Sequence, residues 1–164
     1  METLVSAKRT AVYCDGFNIF YGMKEYKASR GICLYWLDVM AFAGALVKRK
    51  PFGKPETTLH VVKYFTADPI SKERKERHQH YFDLISKFGV DVISGRHSKV
   101  NRRCKADCGK IFQTFEEKET DVNVAIHILH DAIYEDVSQV ILVSADSDFV
   151  PVLRMVKQKK PKTK

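Results

Sequence analysis

The chain has 164 residues, 45% of them hydrophobic and 29% charged, with a formal net charge of +8, which predicts one soluble globular domain with a substantial core. No apolar run approaches the roughly 20 residues of a membrane-spanning helix, and residues 1–9 lack the charged-then-apolar order of a signal peptide. An integral membrane protein is therefore excluded, and we expect a cytoplasmic protein.

Predicted strands and helices alternate along the chain. Strands are predicted at 10–14, 59–65, 89–94 and 140–143. Helices are predicted at 17–27, 36–47, 71 to about 88, from 121 onward, and from 150 to about 158. This alternation is typical of an α/β fold, in which helices cover both faces of a mostly parallel sheet.

Two of these strands run directly into acidic residues. The first is followed by Asp15, and the strand at 140–143 is followed by Asp146 and Asp148. Parallel strands share a direction, so both groups should lie at the carboxyl edge of the sheet, where ligands bind. The alternative is a helix cap formed by Ser147 or Asp148, but two independent caps would not require this coincidence.

A third acid, Asp121, opens the helix with the clearest apolar stripe. Three acids that converge on one edge repel each other unless a cation is present, which favours a hard divalent ion. Asp131 lies ten residues further along this helix, about 15 Å along its axis. We therefore place Asp131 and His127 at the surface or on a second face of the helix, outside the site.

Three segments together resemble the motifs of NYN domains, in the LabA-like branch: Asp15–Asn18, Glu117–Asn123 and Ser144–Phe149. The resemblance covers residues 10–155, with the motifs in the family's order and spacing. NYN domains are related to the PIN-domain nucleases. The resemblance therefore implies a three-layer α/β/α PIN-like (Rossmann-like) fold with a central, mostly parallel sheet, and metal-dependent cleavage of RNA.

The same resemblance implies roles for individual residues. Asp15, Asp121 and Asp146 would hold Mg²⁺ or Mn²⁺, with Asp148 as a fourth ligand directly or through water. Asn18 and Ser144 are candidates for positioning phosphate or a metal-bound water. For Asn18, the alternative is a turn side chain bonded to backbone amides. Glu117 and Lys118 match the motif but precede the helix, so their roles are less defined.

Positive charge is concentrated in two segments. Residues 96–110 contain six Lys or Arg against one Asp, and the last eight residues contain five lysines. The expected partner is RNA, single-stranded or structured, whose backbone would be guided without base reading by Arg96, Lys99, Arg102, Arg103 and Lys105. For the lysine-rich end we prefer a solvated surface without a partner.

The basic segment also contains Cys104 and Cys108. A structural zinc site needs four ligands, yet Cys14 belongs to a predicted core strand and Cys33 to a distant loop. We therefore predict two free thiols on a hairpin, with zinc at Cys104 and Cys108 as the lesser alternative.

We divide the chain into an N-terminal extension (1–9), an NYN/PIN-like domain (10–156) that includes the basic excursion (96–118), and a lysine-rich tail (157–164). NYN domains usually continue into another strand after the final helix. Its absence here leaves three alternatives open: a shortened chain, a domain without this edge strand, or an exposed sheet edge that a homodimer would cover.

Three functions remain open from the sequence. The first is a metal-dependent ribonuclease, and the second is a non-catalytic nucleic-acid-binding or regulatory module on the same fold. The third is a phosphatase acting on small substrates, although the paired basic segments exceed what a small phosphate needs.

Overall fold

The computed structural model describes residues 8–53, 56–104 and 108–163. Its strands are β1 (Lys8–Asp15), β2 (Thr57–Ala67), β3 (Val90–Arg103), β4 (Ile111–Lys118) and β5 (Gln139–Val143). Its α-helices are α1 (Gly16–Arg30), α2 (Val39–Lys48), α3 (Lys72–Lys87), α4 (Thr120–Tyr134) and α5 (Val150–Lys159), and a short 3-10 helix covers Ser147–Phe149. None of the helices within these ranges is long and apolar enough to cross a membrane.

The five strands form one sheet in the order β4-β3-β2-β1-β5. The strands β1, β2, β3 and β5 are parallel, and β4 runs antiparallel to β3. The register aligns Cys14 of β1 with Val143 of β5 and Asp15 with Phe65 of β2. The predicted mostly parallel sheet is confirmed, and its carboxyl edge holds the ends of β1 and β5 side by side.

Side chains of β1 alternate between two hydrophobic cores. Val12 and Cys14 belong to the core that includes residues of α2 and α3, whereas Ala11 and Tyr13 belong to the core under α4 and α5. All four are fully buried, as expected for a central parallel strand covered on both faces. Each large buried apolar side chain contributes about 1.5–3 kcal/mol. The three-layer α/β/α arrangement is thus confirmed.

The helix predicted at 36–47 begins at Val39, because Asp38 caps it. The Asp38 Oδ1 atom accepts a hydrogen bond from the N–H of Ala41 at 2.8 Å, which satisfies one of the free amides of the first turn. Trp36 consequently lies in the preceding loop, where it is 70% exposed and packs edge-on against Tyr81.

The strand predicted at 89–94 is longer than its apolar pattern suggested. It continues to Arg103 and pairs with β4 from Arg96↔Lys118 to Arg103↔Ile111. We call this two-stranded segment the ribbon. The N–H of Cys104 donates to the carbonyl of Lys110 at 2.8 Å, which confirms the predicted hairpin. The extension was missed because its residues are polar and lack a buried face.

A buried ion pair ties α4 to the middle of the sheet. Lys63 Nζ lies 2.5 Å from Asp131 Oδ2, which also accepts a hydrogen bond from the Tyr13 hydroxyl at 2.8 Å. Burial raises the pKa of Asp131, but hydrogen bonds from Lys63, Tyr13 and His130 outweigh it and hold the pKa below its usual value. Asp131 therefore lies on the second face of α4, buried, and stabilises the fold.

Candidate functional site

The carboxyl edge of the sheet bears an acidic cavity of about 380 Å³. Asp15 ends β1, Asp146 follows β5, and Asp121 lies in the first turn of α4. All three line the cavity, as do Asn18 and Glu117. The sequence-predicted acids from distant segments are therefore brought together, and Glu117, at the end of β4, joins them.

Asp15 is the buried centre of this group, with 4% of its surface exposed. Its Oδ1 atom accepts a hydrogen bond from the N–H of Asn18 at 3.0 Å, which caps α1. Its Oδ2 atom accepts from Asn18 Nδ2 at 2.6 Å and from Ser144 Oγ at 2.9 Å. Three of about four lone-pair sites are thus occupied, and room for about one further ligand remains.

Asn18 and Ser144 connect the loop after β5 to Asp15. The Ser144 hydroxyl accepts from the N–H of Asp146 at 3.0 Å while it donates to Asp15. The Asn18 Oδ1 atom accepts from the N–H of Ala145 at 3.2 Å. Both side chains therefore fix the relative position of the turns at Asp15 and Asp146. The bond to the Ala145 amide agrees with the interpretation of Asn18 as a side chain bonded to backbone amides.

Asp146 is exposed, and its Oδ1 atom accepts a hydrogen bond from the N–H of Asp148 at 2.9 Å. The capping residue of the 3-10 helix is therefore Asp146, whereas the sequence suggested Ser147 or Asp148. Asp148 is also exposed and does not line the cavity, but its charge acts on Asp121. Capping occupies one oxygen site of Asp146 and leaves the others available.

The acids behave as one electrostatic unit. Burial raises the pKa of Asp121, and the charges of Asp15, Asp146 and Asp148 raise it further. Burial also raises the pKa of Glu117 and outweighs the opposing effects of Thr120 and His97, while the charges of Asp121 and Asp15 act in the same direction as burial. The carboxylates at this edge of the sheet therefore repel each other when they are ionised.

Glu117 is a cavity residue whose role the motif match alone leaves undefined. It matches the second motif, but no strand was predicted around it because β4 is half-exposed and polar. Once β4 pairs with β3, Glu117 lies opposite His97 and lines the cavity. The motif match was the signal that identified it.

The donor set fits a hard cation such as Mg²⁺ or Mn²⁺, which prefer carboxylate oxygens. Within residues 8–53, 56–104 and 108–163, no three His, Cys, Asp or Glu side chains close around a common point.

The basic residues of the ribbon are not equivalent. Arg96 contacts Glu119, and Arg102 Nη2 lies 2.5 Å from Glu116 Oε1. Lys99 Nζ instead lies 6.0 Å from the centre of the Phe115 ring, and Arg103 is exposed. Lys105 lies outside the described residues.

Cys104 directly follows β3, and Cys108 lies shortly before β4. Hydrogen bonds from the Lys110 backbone and from Cys104 lower the pKa of the Cys108 thiol. Cys14 is buried in β1 and Cys33 is exposed elsewhere. Among the residues that the structure describes, no third His, Cys, Asp or Glu joins the two cysteines. The pair alone is therefore two ligands short of the four that a structural zinc site needs.

An α/β/α domain with acids at the carboxyl edge of a mostly parallel sheet is consistent with the PIN-like class. The NYN domain family matches residues 9–163, and the chain therefore belongs to the NYN domain family. This is a PIN-like ribonuclease family whose nucleases typically use divalent metals, and RNA is the substrate that the family suggests.

One curated relative is 6-hydroxy-3-succinoylpyridine 3-monooxygenase HspA of Pseudomonas putida (strain DSM 28022 / S16). The alignment of the two sequences is 187 residues long and 26% identical, and it covers 91% of the chain and 55% of the relative. The chain thus spans about half the length of this relative. No solved structure matches the chain significantly.

Proposed function

We propose that the protein is a metal-dependent ribonuclease of the LabA-like branch, which hydrolyses RNA phosphodiester bonds at the acidic cavity. The observation that supports this proposal is the coupling of Asp121 to Asp15, Asp146 and Asp148. These carboxylates come from three separate segments, and their repulsion costs stability unless a cation offsets it. Such an arrangement is expected of a site that binds metal and phosphate.

Asp15, Asp121 and Asp146 would hold Mg²⁺ or Mn²⁺, with Asp148 contributing directly or through water. When bound, the ion lowers the pKa of a bound water and stabilises charge on the scissile phosphate. Asn18 and Ser144 are positioning residues, because their hydrogen bonds fix the orientation of Asp15. Glu117 has a raised pKa and is half-buried, so it is suited to carry a proton at the cavity wall.

RNA would be the substrate, with phosphates guided by the basic residues of the excursion: Arg96, Lys99, Arg102, Arg103 and Lys105. The domain bounds 10–156 and the terminal segments on either side remain predictions. Among the described strands, β5 pairs only with β1. Pairing of two copies through this edge of β5 is one form of homodimer that the sheet allows, and β4 is the other edge strand.

The test is cleavage of a labelled single-stranded RNA with a structured region, in Mn²⁺, Mg²⁺ or EDTA. Wild type is compared with Asp146→Asn and with Asp83→Asn, which makes the same chemical change on the exposed side of α3. We expect metal-dependent cutting by wild type and Asp83→Asn only. Equal cutting by all three proteins would assign the activity to a contaminant, and no cutting would contradict the proposal.

A non-catalytic RNA-binding module is the second candidate, favoured by the lack of three converging metal ligands within the described ranges. Asp121→Asn separates the two functions. A ribonuclease loses cleavage in this variant but retains RNA affinity, because the cavity loses one negative charge. A binding module shows no cleavage in either protein, whichever metal is added.

Oxidation of a hydroxylated pyridine is a candidate of a different class, favoured by the name of the Pseudomonas putida relative. A succinoyl group carries a carboxylate, which the acids of the cavity repel unless a cation is bound. The test supplies 6-hydroxy-3-succinoylpyridine, dioxygen, and reduced nicotinamide and flavin cofactors. Product formed by wild type but not by Asp146→Asn would favour this function over the ribonuclease.

A further inference from the structure

The ribbon has two chemically different faces. Residues that lie directly opposite each other in antiparallel strands project to the same side, so the register of β3 and β4 assigns each residue to one face. The face that includes Glu117, which we call the cavity face, carries Lys99, Asn101, Arg103, Gln113 and Phe115. The opposite face, which we call the outer face, carries Arg96, Arg102, Phe112, Glu116 and Lys118.

The cations of the outer face are all engaged in ion pairs, although Arg102 and Lys118 share one carboxylate. Arg102 and Lys118 both contact Glu116, at 2.5 and 3.0 Å, and Arg96 contacts Glu119. Lys99 and Arg103 of the cavity face make no ion pair with any carboxylate of the described residues. Beyond Glu117, this face therefore presents uncompensated positive charge.

The cavity face also offers an aromatic surface beside that charge. Phe115 is 37% exposed and lies beneath Lys99, 6.0 Å from the ammonium to the ring centre. From Glu117 to Ile111, β4 extends about 20 Å away from the cavity, at about 3.4 Å per residue. Two cations along one face, with an aromatic ring directly opposite the first, are a combination that binds single-stranded nucleic acid.

We propose that the cavity face of the ribbon guides an unpaired RNA strand into the acidic cavity, with phosphates on Lys99 and Arg103 and a base stacked on Phe115. This inference rests on the proposed function and specifies its substrate as single-stranded RNA. The exposed ring excludes a duplex from the same role, because paired bases stack on each other and leave no face for Phe115. The proposal thereby narrows the guiding residues given above, because Arg96 and Arg102 of the outer face are held in ion pairs, and Lys118 lines the cavity itself.

Binding of a short unstructured RNA in EDTA tests the proposal without any cleavage. Lys99→Gln/Arg103→Gln is compared with Arg96→Gln/Arg102→Gln, since each pair removes two formal positive charges. The cavity-face pair should weaken binding roughly tenfold and reduce the slope of log affinity against log salt by about 1.4, at about 0.7 per lost phosphate contact. The outer-face pair should change affinity less than about twofold. Equal losses, or a larger loss for the outer face, would overturn the proposal.

Stacking is tested by Phe115→Leu against Phe112→Leu, a matched pair on opposite faces. Phe115→Leu should weaken single-strand binding by about fivefold or more and leave duplex binding unchanged, and Phe115→Trp should restore affinity. Equal effects of the two leucine variants would contradict stacking on the cavity face.

The binding and cleavage experiments can contradict the two proposals separately. If the variants of the two faces differ in RNA binding in EDTA but no metal supports cleavage, the ribonuclease proposal is contradicted and RNA binding by the cavity face is supported. If cleavage depends on Asp146 but the variants of the two faces bind RNA alike, only the proposal of RNA binding by the cavity face is contradicted.

Discussion

The Ser144 hydroxyl donates a hydrogen bond to Asp15 Oδ2 at 2.9 Å, although the two residues lie 129 positions apart. The same hydroxyl accepts the N–H of Asp146. A single small side chain therefore sets the distance between the buried acid of β1 and the exposed acid after β5.

Removal of that hydroxyl should impair catalysis more than folding. Ser144→Ala leaves Asp15 with its two bonds from Asn18 but loses the connection to Asp146, so metal-dependent cleavage should fall about 10- to 100-fold. The free energy of unfolding should fall by only about 1 kcal/mol. Cleavage rates and urea denaturation measure the two effects. Ser29→Ala, on the exposed end of α1, is the control, and Ser144→Thr should retain much of the activity. A rate for Ser144→Ala equal to that of wild type would remove Ser144 from the site.

Asp121→Asn should stabilise the metal-free protein at neutral pH. The pKa of Asp121 in the folded state is raised above its usual value of 3.8. Between pH 3.8 and this raised pKa, the folded protein therefore binds more protons than the unfolded chain. The contribution of Asp121 to the free energy of unfolding falls as the pH rises through this range, and it stays low at higher pH. Glu117 acts in the same direction from 4.5 upward.

Urea denaturation of wild type and Asp121→Asn at several pH values, in EDTA, measures this difference. The stability of the variant should exceed that of wild type at pH 7, and the two should approach each other near pH 4. Mg²⁺ or Mn²⁺ should raise the stability of wild type more than that of the variant. A variant less stable than wild type at pH 7 in EDTA would show that the acids do not repel each other as described.

The buried pair of Lys63 and Asp131 should matter for stability alone. Lys63→Met leaves the carboxylate of Asp131 buried with the Tyr13 hydroxyl and His130, and should cost about 3–5 kcal/mol. Lys75→Met breaks the pair with Asp68, whose side chains are 55% and 39% exposed, and should cost less than about 1 kcal/mol. Thermal or urea denaturation measures both. Similar small losses would indicate that water reaches Asp131.

A methyl group at Gly95, which does not line the cavity, should displace the start of α4 and with it Asp121. A Cβ there would lie 2.5 Å from Thr120 Oγ1 and 2.6 Å from the carbonyl of Lys118, so the start of α4 must shift. Gly95→Ala should cost about 1–3 kcal/mol and reduce cleavage, because Asp121 follows Thr120 directly. Gly22→Ala is the control, since nothing lies within 4 Å of its added Cβ in α1. That variant should gain about 0.5–1 kcal/mol. Full activity of Gly95→Ala would show that Asp121 tolerates displacement.

The sequence predicted the sheet and the convergence of acids because both depend on strong local signals. Apolar runs mark the buried strands β1 and β5, and Asp15 ends the first strand while Asp146 lies three residues after the second. Periodicity carries no comparable signal for β4, whose residues are exposed or half-exposed. Its position follows from pairing with β3, which is a long-range property, and Glu117 was undervalued for that reason.

Hydrogen-bond partners were beyond the reach of the sequence. Asn18 and Ser144 were identified as polar residues near the acids, but their partners depend on how two loops approach each other across β1 and β5. The same holds for the ribbon. Arg96 and Lys99 look alike in sequence, and only the register separates the cation that contacts Glu119 from the one beside Phe115.

The pairing of β5 with β1 has a consequence for protein synthesis. Asp15 leaves the ribosome 129 residues before Ser144. Until β5 docks beside β1, the acids of the two strands do not share a cavity. If the protein cuts RNA, a growing chain that still lacks β5 is inert toward the message that encodes it.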